Sequence, residues 1–122
     1  MELTPFFKSV LEQDRSAVVL CDLTHTIIYM NPAAKARYGK ATEVGKSLLD
    51  CHPPQANERI FKVVEWFRVD KSHNLIYTFR NDKENKDVYM VALRDDNGTL
   101  IGYYEKHEYR SRETMSLYDF GG

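Results

Sequence analysis

Cys51 and His52 are adjacent residues whose types could do chemistry together in this chain of 122 residues. Nucleophilic catalysis requires a nucleophile, a base and an orienting group in mutual contact. The side chains of adjacent residues diverge, and the sequence around this pair has neither a nucleophile elbow nor an oxyanion glycine. The sequence therefore predicts that the protein is not an enzyme.

The remaining metal-binding residue types stand singly in the sequence, without the closely spaced pairs that mark a zinc site. They are Cys21, His25, His73 and His107. Adjacent ligands such as Cys51 and His52 hold a metal only weakly by themselves. We predict no metal site.

The segment Cys51–Pro54, which reads Cys-His-Pro-Pro, also allows a redox role. A thiol beside a histidine at the start of a helix favours its thiolate form and oxidises readily. A thiol redox sensor that uses Cys51 is therefore one alternative function.

Composition indicates one ordinary soluble domain, with 43% hydrophobic and 29% charged residues. The net charge of −1 argues against a general electrostatic attraction to nucleic acid or to anionic membranes. No apolar run approaches the roughly 18 residues of a membrane span, and the N-terminus lacks a secretory signal. Two widely separated cysteines fit reduced thiols. We expect a cytoplasmic protein.

Local signals define a strand, a turn, a second strand and a helix in the first third of the chain. Residues 17–21 form a compact apolar run, residues 22–26 are rich in turn formers, and residues 26–30 are β-branched and aromatic again. Asn31 is a favourable N-cap for a helix over residues 32–38 that begins with proline.

The second half of the chain predicts one longer helix and three strands. The helix covers residues 55–69, where apolar residues recur at helical spacing. Alternating residues predict strands over 75–79, 88–93 and 100–107. The Asp-Asp-Asn-Gly sequence at 95–98 predicts a hairpin turn of type I′, and Gly102 predicts a close approach or a bend.

These signals resemble the opening half of a PAS domain. The residues that carry the resemblance are Asp22, Ile28, Asn31, Ala34, Tyr38, Gly39, Glu43, Gly45 and Lys46. The turn glycine that is usual in that family is replaced here by His25 or Thr26. Residues 51–54 and the apolar helix after them resemble a bacterial branch that carries a Cys-His-Pro-Pro segment.

The resemblance implies an α+β fold with a five-stranded antiparallel sheet in the order 2-1-5-4-3. Helices would pack on one face of this sheet. The chain would divide into a flanking amphipathic helix over residues 1–14, a PAS-like sensor domain over 15–108 and a polar tail over 109–122.

PAS domains typically hold a small ligand between the sheet and the helices, so the resemblance implies a sensory function. Strand alternation predicts that Tyr77 and Phe79 face the helix that carries Ile60 and Val64. We expect a small, mostly apolar ligand whose occupancy is passed to a dimer or to a signalling partner. The candidate ligand-binding residues are Tyr29, Tyr38, Cys51, His52, Ile60, Val64, Tyr77 and Phe79.

Other ligands and functions stay open at the level of sequence. In PAS domains that resemble the heme sensors, the axial histidine lies on the long helix, which carries none here, so His52 is the heme candidate. Residues 50–53 do not match the segment of the light-sensing flavin proteins. A protein–protein adaptor whose cavity is filled by its own side chains is a further alternative.

The N-terminal segment predicts an amphipathic helix over residues 4–13 that is capped by Thr4. Its apolar stripe consists of Phe6, Phe7, Val10 and Leu11. Flanking helices in PAS domains often mediate dimers. The stripe is therefore expected either to join a homodimer or to pack on its own domain.

Overall fold

A five-stranded antiparallel sheet is the framework of the computed structural model, which describes residues 1–121. The strands are β1 (Val19–Asp22), β2 (Ile27–Met30), β3 (Leu75–Asn81), β4 (Lys86–Arg94) and β5 (Leu100–Tyr109). Their order in the sheet is β2-β1-β5-β4-β3. The predicted α+β fold and strand order are confirmed.

Three helices and two short 3₁₀ turns connect and cover the strands. They are α1 (Thr4–Gln13), α2 (Pro32–Tyr38), α3 (Pro54–Val69) and the 3₁₀ turns Gly39–Ala41 and Leu48–Cys51. The buried residues of α3 recur every three or four positions, so one stripe of this helix packs on the sheet. The core cluster includes Cys21, Ile27, Met30, Ile60, Val64, Phe67, Met90 and Tyr103.

The central strand β5 is joined to β1 over a short distance only. β1 pairs with β5 at Leu20, Cys21 and Asp22, whereas β4 pairs with β5 along its whole length. The backbones of β1 and β5 approach so closely at Gly102 that a Cβ atom there would overlap the carbonyl oxygen of Cys21. The predicted close approach at Gly102 is confirmed.

Asn31 is fully buried and joins three elements through its side-chain amide. Its Oδ1 atom accepts hydrogen bonds from the backbone N–H groups of Val18 and Ala34, both at 2.9 Å. The second of these bonds is the predicted N-cap of α2. The Nδ2 group lies 2.9 to 3.2 Å from the carbonyl oxygens of Leu11, Asp14 and Ser16.

The turn between β1 and β2 replaces the usual glycine with His25, which has a positive φ of 65°. Histidine is among the residues that tolerate this left-handed conformation. The Oδ1 atom of Asp22 accepts hydrogen bonds from the backbone of Thr24 and Thr26 and from the Thr24 hydroxyl group. These bonds hold the turn in place.

Two local predictions are wrong. Thr4 is the first residue of α1 and not its cap, and its N–H group donates to the carboxylate of Glu2 at 2.8 Å. In the turn between β4 and β5, Gly98 has a positive φ of 80°, but Asn97 does not. A type I′ turn needs a positive φ at both residues, so this turn is of another type, and the ladder shifts register between Leu93 and Arg94, as at a bulge.

The apolar residues of α1 are largely uncovered. The exposed fractions are 57% for Phe6, 63% for Phe7 and 70% for Val10, whereas Leu11 is partly buried. Dimerisation through this stripe stays a prediction. Within residues 1–121, no helix has the length and apolar character that crossing a membrane requires.

The hydrogen bonds of the Asn31 amide lead us to expect that a single substitution at this residue lowers stability. Asn31→Asp keeps both acceptor contacts of Oδ1 but sets a carboxylate against three carbonyl oxygens, so we expect the free energy of unfolding to fall by about 3 kcal/mol. Hydrogen exchange should also become faster in α1. Urea unfolding and amide exchange measure the two effects. The exposed Asn97→Asp variant is the control, and equal stability of the two variants would contradict the role of Asn31.

Candidate functional site

A cavity of about 110 Å³ lies between the sheet and the segment that follows α2. One wall comes from β1 and β5, and the other comes from the end of α2 and the turn Leu48–Cys51. The lining residues are Ala17, Val19, Cys21, Tyr38, Thr42, Leu48, Cys51, His52, Tyr103, Tyr104, Glu105 and His107.

Strand alternation in β5 determines which of its side chains reach the cavity. Tyr103, Glu105 and His107 lie at every second position, so they share the face that carries the helices. Their partners across the ladder, which include Met90 and Val88, are buried on the same face. A single strand therefore supplies an aromatic, an acidic and a basic side chain to one wall.

The deep end of the cavity carries no charge at neutral pH. Burial raises the pKa of the Cys21 thiol to about 12 and also raises the pKa of Tyr103. The Tyr103 hydroxyl group lies 2.8 Å from Nδ1 of His25. The ring of His25 packs edge-on against Phe61 of α3, with 5.2 Å between the ring centroids. Tyr103 thus connects the cavity to α3 through the first hairpin turn.

Glu105 supplies the carboxyl group of the cavity. Burial raises its pKa, and electrostatic interactions with His52, Arg59 and Lys86 oppose this shift in part. Among the residues described, none donates a hydrogen bond to the side chain of Glu105. The carboxyl group therefore borders the cavity without a protein partner.

His107 lies beside Glu105 on the same face and is held neutral. Burial lowers its pKa to about 4, and the positive charges of Lys86 and Arg37 act in the same direction. Its Nδ1 atom is buried without a hydrogen-bond partner in the described part of the chain. Buried polar atoms are normally paired, so this end of the wall is incompletely satisfied.

Cys51 and His52 form hydrogen bonds with other residues and none with each other. Nδ1 of His52 donates to the carbonyl oxygen of Leu48 at 3.0 Å, since a carbonyl can only accept. Sγ of Cys51 accepts a hydrogen bond from the Thr42 hydroxyl group at 3.3 Å and lies 3.5 Å from the carbonyl oxygen of Ala41. Over residues 1–121, no three His, Cys, Asp or Glu side chains cluster closely enough to hold a metal.

Three of the eight predicted ligand-binding residues line the cavity, namely Tyr38, Cys51 and His52. Ile60 and Val64 lie in the core cluster, where they fill the space between α3 and the sheet. Their side chains therefore support the fold and do not reach the cavity.

The prediction that Tyr77 and Phe79 share the helix-facing side is wrong for Tyr77. A bulge between these residues sets Tyr77 opposite Tyr89 on the outer face and Phe79 opposite Val88. The Tyr77 ring packs on Tyr89, with 5.3 Å between the centroids. Phe79 lies under the guanidinium group of Arg59 but is 48% exposed and outside the cavity.

Tyr29 also lies away from the cavity. It pairs with Leu20 on the outer face of the first hairpin, and its hydroxyl group donates to the Glu12 carboxylate at 3.1 Å. Sequence reasoning missed nine of the twelve lining residues, and the three that give the inner face of β5 its polar character are among them. Alternation through Tyr103, Glu105 and His107 was the available signal, because a buried strand face that carries an acid and a base is unusual.

His107 predicts an acid-sensitive contribution to stability. Because the pKa of this imidazole is about 4 in the folded chain, below its ordinary 6.5, the unfolded chain takes up the proton first as the pH falls. Stability should therefore decline between pH 6.5 and pH 4, and His107→Gln should flatten that decline. Urea unfolding at a series of pH values tests this. Lys106→Gln on the exposed face is the control, and an unchanged slope in His107→Gln would contradict the assignment.

The comparisons with known proteins agree with this architecture. The family model of the PAS domain matches residues 15–105, and no curated protein matches the chain. A C-terminal domain from Streptococcus mutans is 24% identical, with a TM-score of 0.64, over 84% of this chain and 81% of that chain. The PAS domain of a protein from Colwellia psychrerythraea is 16% identical, with a TM-score of 0.64, over 88% and 97% of the two chains.

A sensory box sensor histidine kinase from Vibrio cholerae has the same fold. It is 13% identical, with a TM-score of 0.59, over 85% of this chain and 86% of that chain. These structural likenesses show the fold, and the family model spans well over half of the sequence. This protein therefore belongs to the PAS domain family of sensory and signalling modules.

Proposed function

We propose that this PAS domain binds one small molecule in the cavity between β1, β5 and the turn Leu48–Cys51. The observation that carries the proposal is an open space of about 110 Å³ whose wall contains the unpaired Nδ1 atom of His107 and the carboxyl group of Glu105, to which none of the described residues donates. A filled core would pair such groups or replace them with apolar ones. A ligand that supplies the missing contacts would stabilise the bound state.

The size of the cavity limits the ligand. An apolar cavity of about 150 Å³ holds benzene, and pockets for drug-sized ligands measure about 300–1,000 Å³. A volume of about 110 Å³ is below both values, so it holds at most one ring or a branched alkyl group. Heme through His52, or a flavin, would require this space to expand severalfold. Because Glu105 and His107 line the cavity, we now expect a ligand that has a polar group, and not the mostly apolar ligand that the sequence suggested.

The route of the signal would run from the cavity to α3. Tyr103 lines the cavity and contacts His25, whose ring packs on Phe61. A ligand that displaces the Tyr103 ring would also move His25, the turn residue that has a positive φ. Occupancy becomes a signal if the ligand binds one arrangement of this chain of contacts more tightly than another.

The proposed role is not catalytic. His52 donates from Nδ1 to the Leu48 carbonyl oxygen, so the contact between Cys51 and a base that nucleophilic catalysis needs is not formed. We also propose a cytoplasmic location, where free thiols such as Cys21 and Cys51 stay reduced. A redox role for Cys51 stays a prediction that a thiol titration would test.

Native mass spectrometry tests ligand binding directly. We expect the native mass per subunit to exceed the denatured mass by the mass of one small non-covalent ligand. Ala17→Leu should abolish this excess, because the larger side chain enters the cavity. Ala36→Leu on the exposed surface of α2 is the matched control. A bare mass that no added small molecule increases would instead support the adaptor function.

The exposed stripe of α1 predicts a homodimer. Phe6→Ser combined with Phe7→Ser should shift the protein toward the monomer, because it removes apolar area that water contacts in the single chain. Light scattering over a concentration series measures the mass. Lys8→Ser changes the same helix without removing an apolar side chain. A dimer of unchanged strength in the double variant would exclude α1 from the interface.

A further inference from the structure

We propose that Glu105 recognises the ligand and that the ligand is a small amine or amidine, whose N–H groups donate to this carboxylate. The inference rests on the proposed ligand-binding function and specifies its chemistry. Glu105 lies between Tyr103 and His107 on the inner face of β5, which forms one wall of the cavity.

Glu105 is the acidic residue among the cavity-lining side chains. An ionised carboxylate only accepts hydrogen bonds, and a partly buried one without donors carries a desolvation cost. None of the described residues donates to it, and its burial already disfavours the charged form. A ligand that brings N–H donors would remove this cost, and a cationic ligand would do so most strongly.

The nearby cations of the protein are engaged elsewhere. Nζ of Lys86 lies 3.3 Å from the Glu84 carboxylate and 5.2 Å from the ring centroid of Tyr109. The guanidinium group of Arg59 lies 5.9 Å from the ring centroid of Phe79. Both are close enough to affect Glu105 electrostatically, but neither forms a hydrogen bond with it. The carboxylate is therefore available to a ligand.

The other polar atoms at this end also favour a donor. Nδ1 of His52 is bound to the Leu48 carbonyl oxygen, so a neutral His52 ring has Nε2 as an acceptor. His107 is neutral and adds another imidazole to the wall. An anionic ligand would place a second acidic group beside the Glu105 carboxyl group, where burial already disfavours a negative charge, and the lining residues include no Lys or Arg to pair with it.

The apolar part of the cavity accepts the body of such a ligand. Ala17, Val19 and Leu48 contribute aliphatic surface, and Tyr38 contributes an aromatic ring. Together with the volume of about 110 Å³, these residues fit a single ring or a branched alkyl group that carries the amine. The ligand is thus amphipathic, with its nitrogen at Glu105.

Three probes of similar shape test the inference by NMR titration: benzylamine, benzyl alcohol and benzoate. For the unaltered protein we expect benzylamine to bind at least tenfold more tightly than benzoate. Glu105→Gln should weaken benzylamine binding about tenfold, as expected for the loss of a charge-assisted hydrogen bond, and should leave benzyl alcohol within a factor of about three. Glu108→Gln, on the opposite face of β5, should match the unaltered protein.

The outcomes separate this inference from the proposed function. If benzyl alcohol and benzylamine bind equally well and Glu105→Gln changes neither, the cavity is a ligand site but Glu105 does not select amines. Tighter binding of benzoate would overturn the inference in the same way. If none of the probes shifts the cavity resonances, the ligand-binding proposal itself falls. The comparison of probes on the unaltered protein needs no variant, so misfolding of Glu105→Gln cannot obscure it.

Discussion

The buried side-chain amide of Asn31 is the interaction on which the arrangement of the first half of the chain depends. Its oxygen orders the start of α2 and the residue before β1, and its nitrogen orders the end of α1. One fully buried amide can satisfy these groups only in a single relative placement. The position of α2 in turn determines where Tyr38 and the following segment meet the sheet, and hence the shape of the cavity.

Burial, rather than ion pairing, sets the electrostatic character of the cavity. The same desolvation raises the pKa of Cys21 and Glu105 and lowers that of His107, because it disfavours whichever form is charged. The strong ion pairs lie outside, as between Arg37 and Glu84. The site is therefore a pocket in which burial disfavours charge, and this ion pair is not among the residues that line it.

The helices and strands could be predicted from local signals, but the arrangement of the site could not. The Asn31 cap and the alternation in β5 are short-range patterns that the structure reproduces. The strand order followed from family resemblance, because pairing of β1 with β5 joins distant residues. Tyr77 was predicted on the wrong face because the bulge between Tyr77 and Phe79 shifts the alternation of side chains between the two faces, and the sequence does not reveal this bulge.

The short ladder between β1 and β5 has a mechanical consequence. Pairing ends at Leu20 and Tyr104, so β1 no longer accompanies β5 at Glu105 and His107, and the cavity opens at this divergence. The sheet thus consists of two panels, β2-β1 and β5-β4-β3, that share a narrow seam. A molecule bound at the proposed site would lie beside this short ladder, where it would be expected to change the angle between the two parts of the sheet.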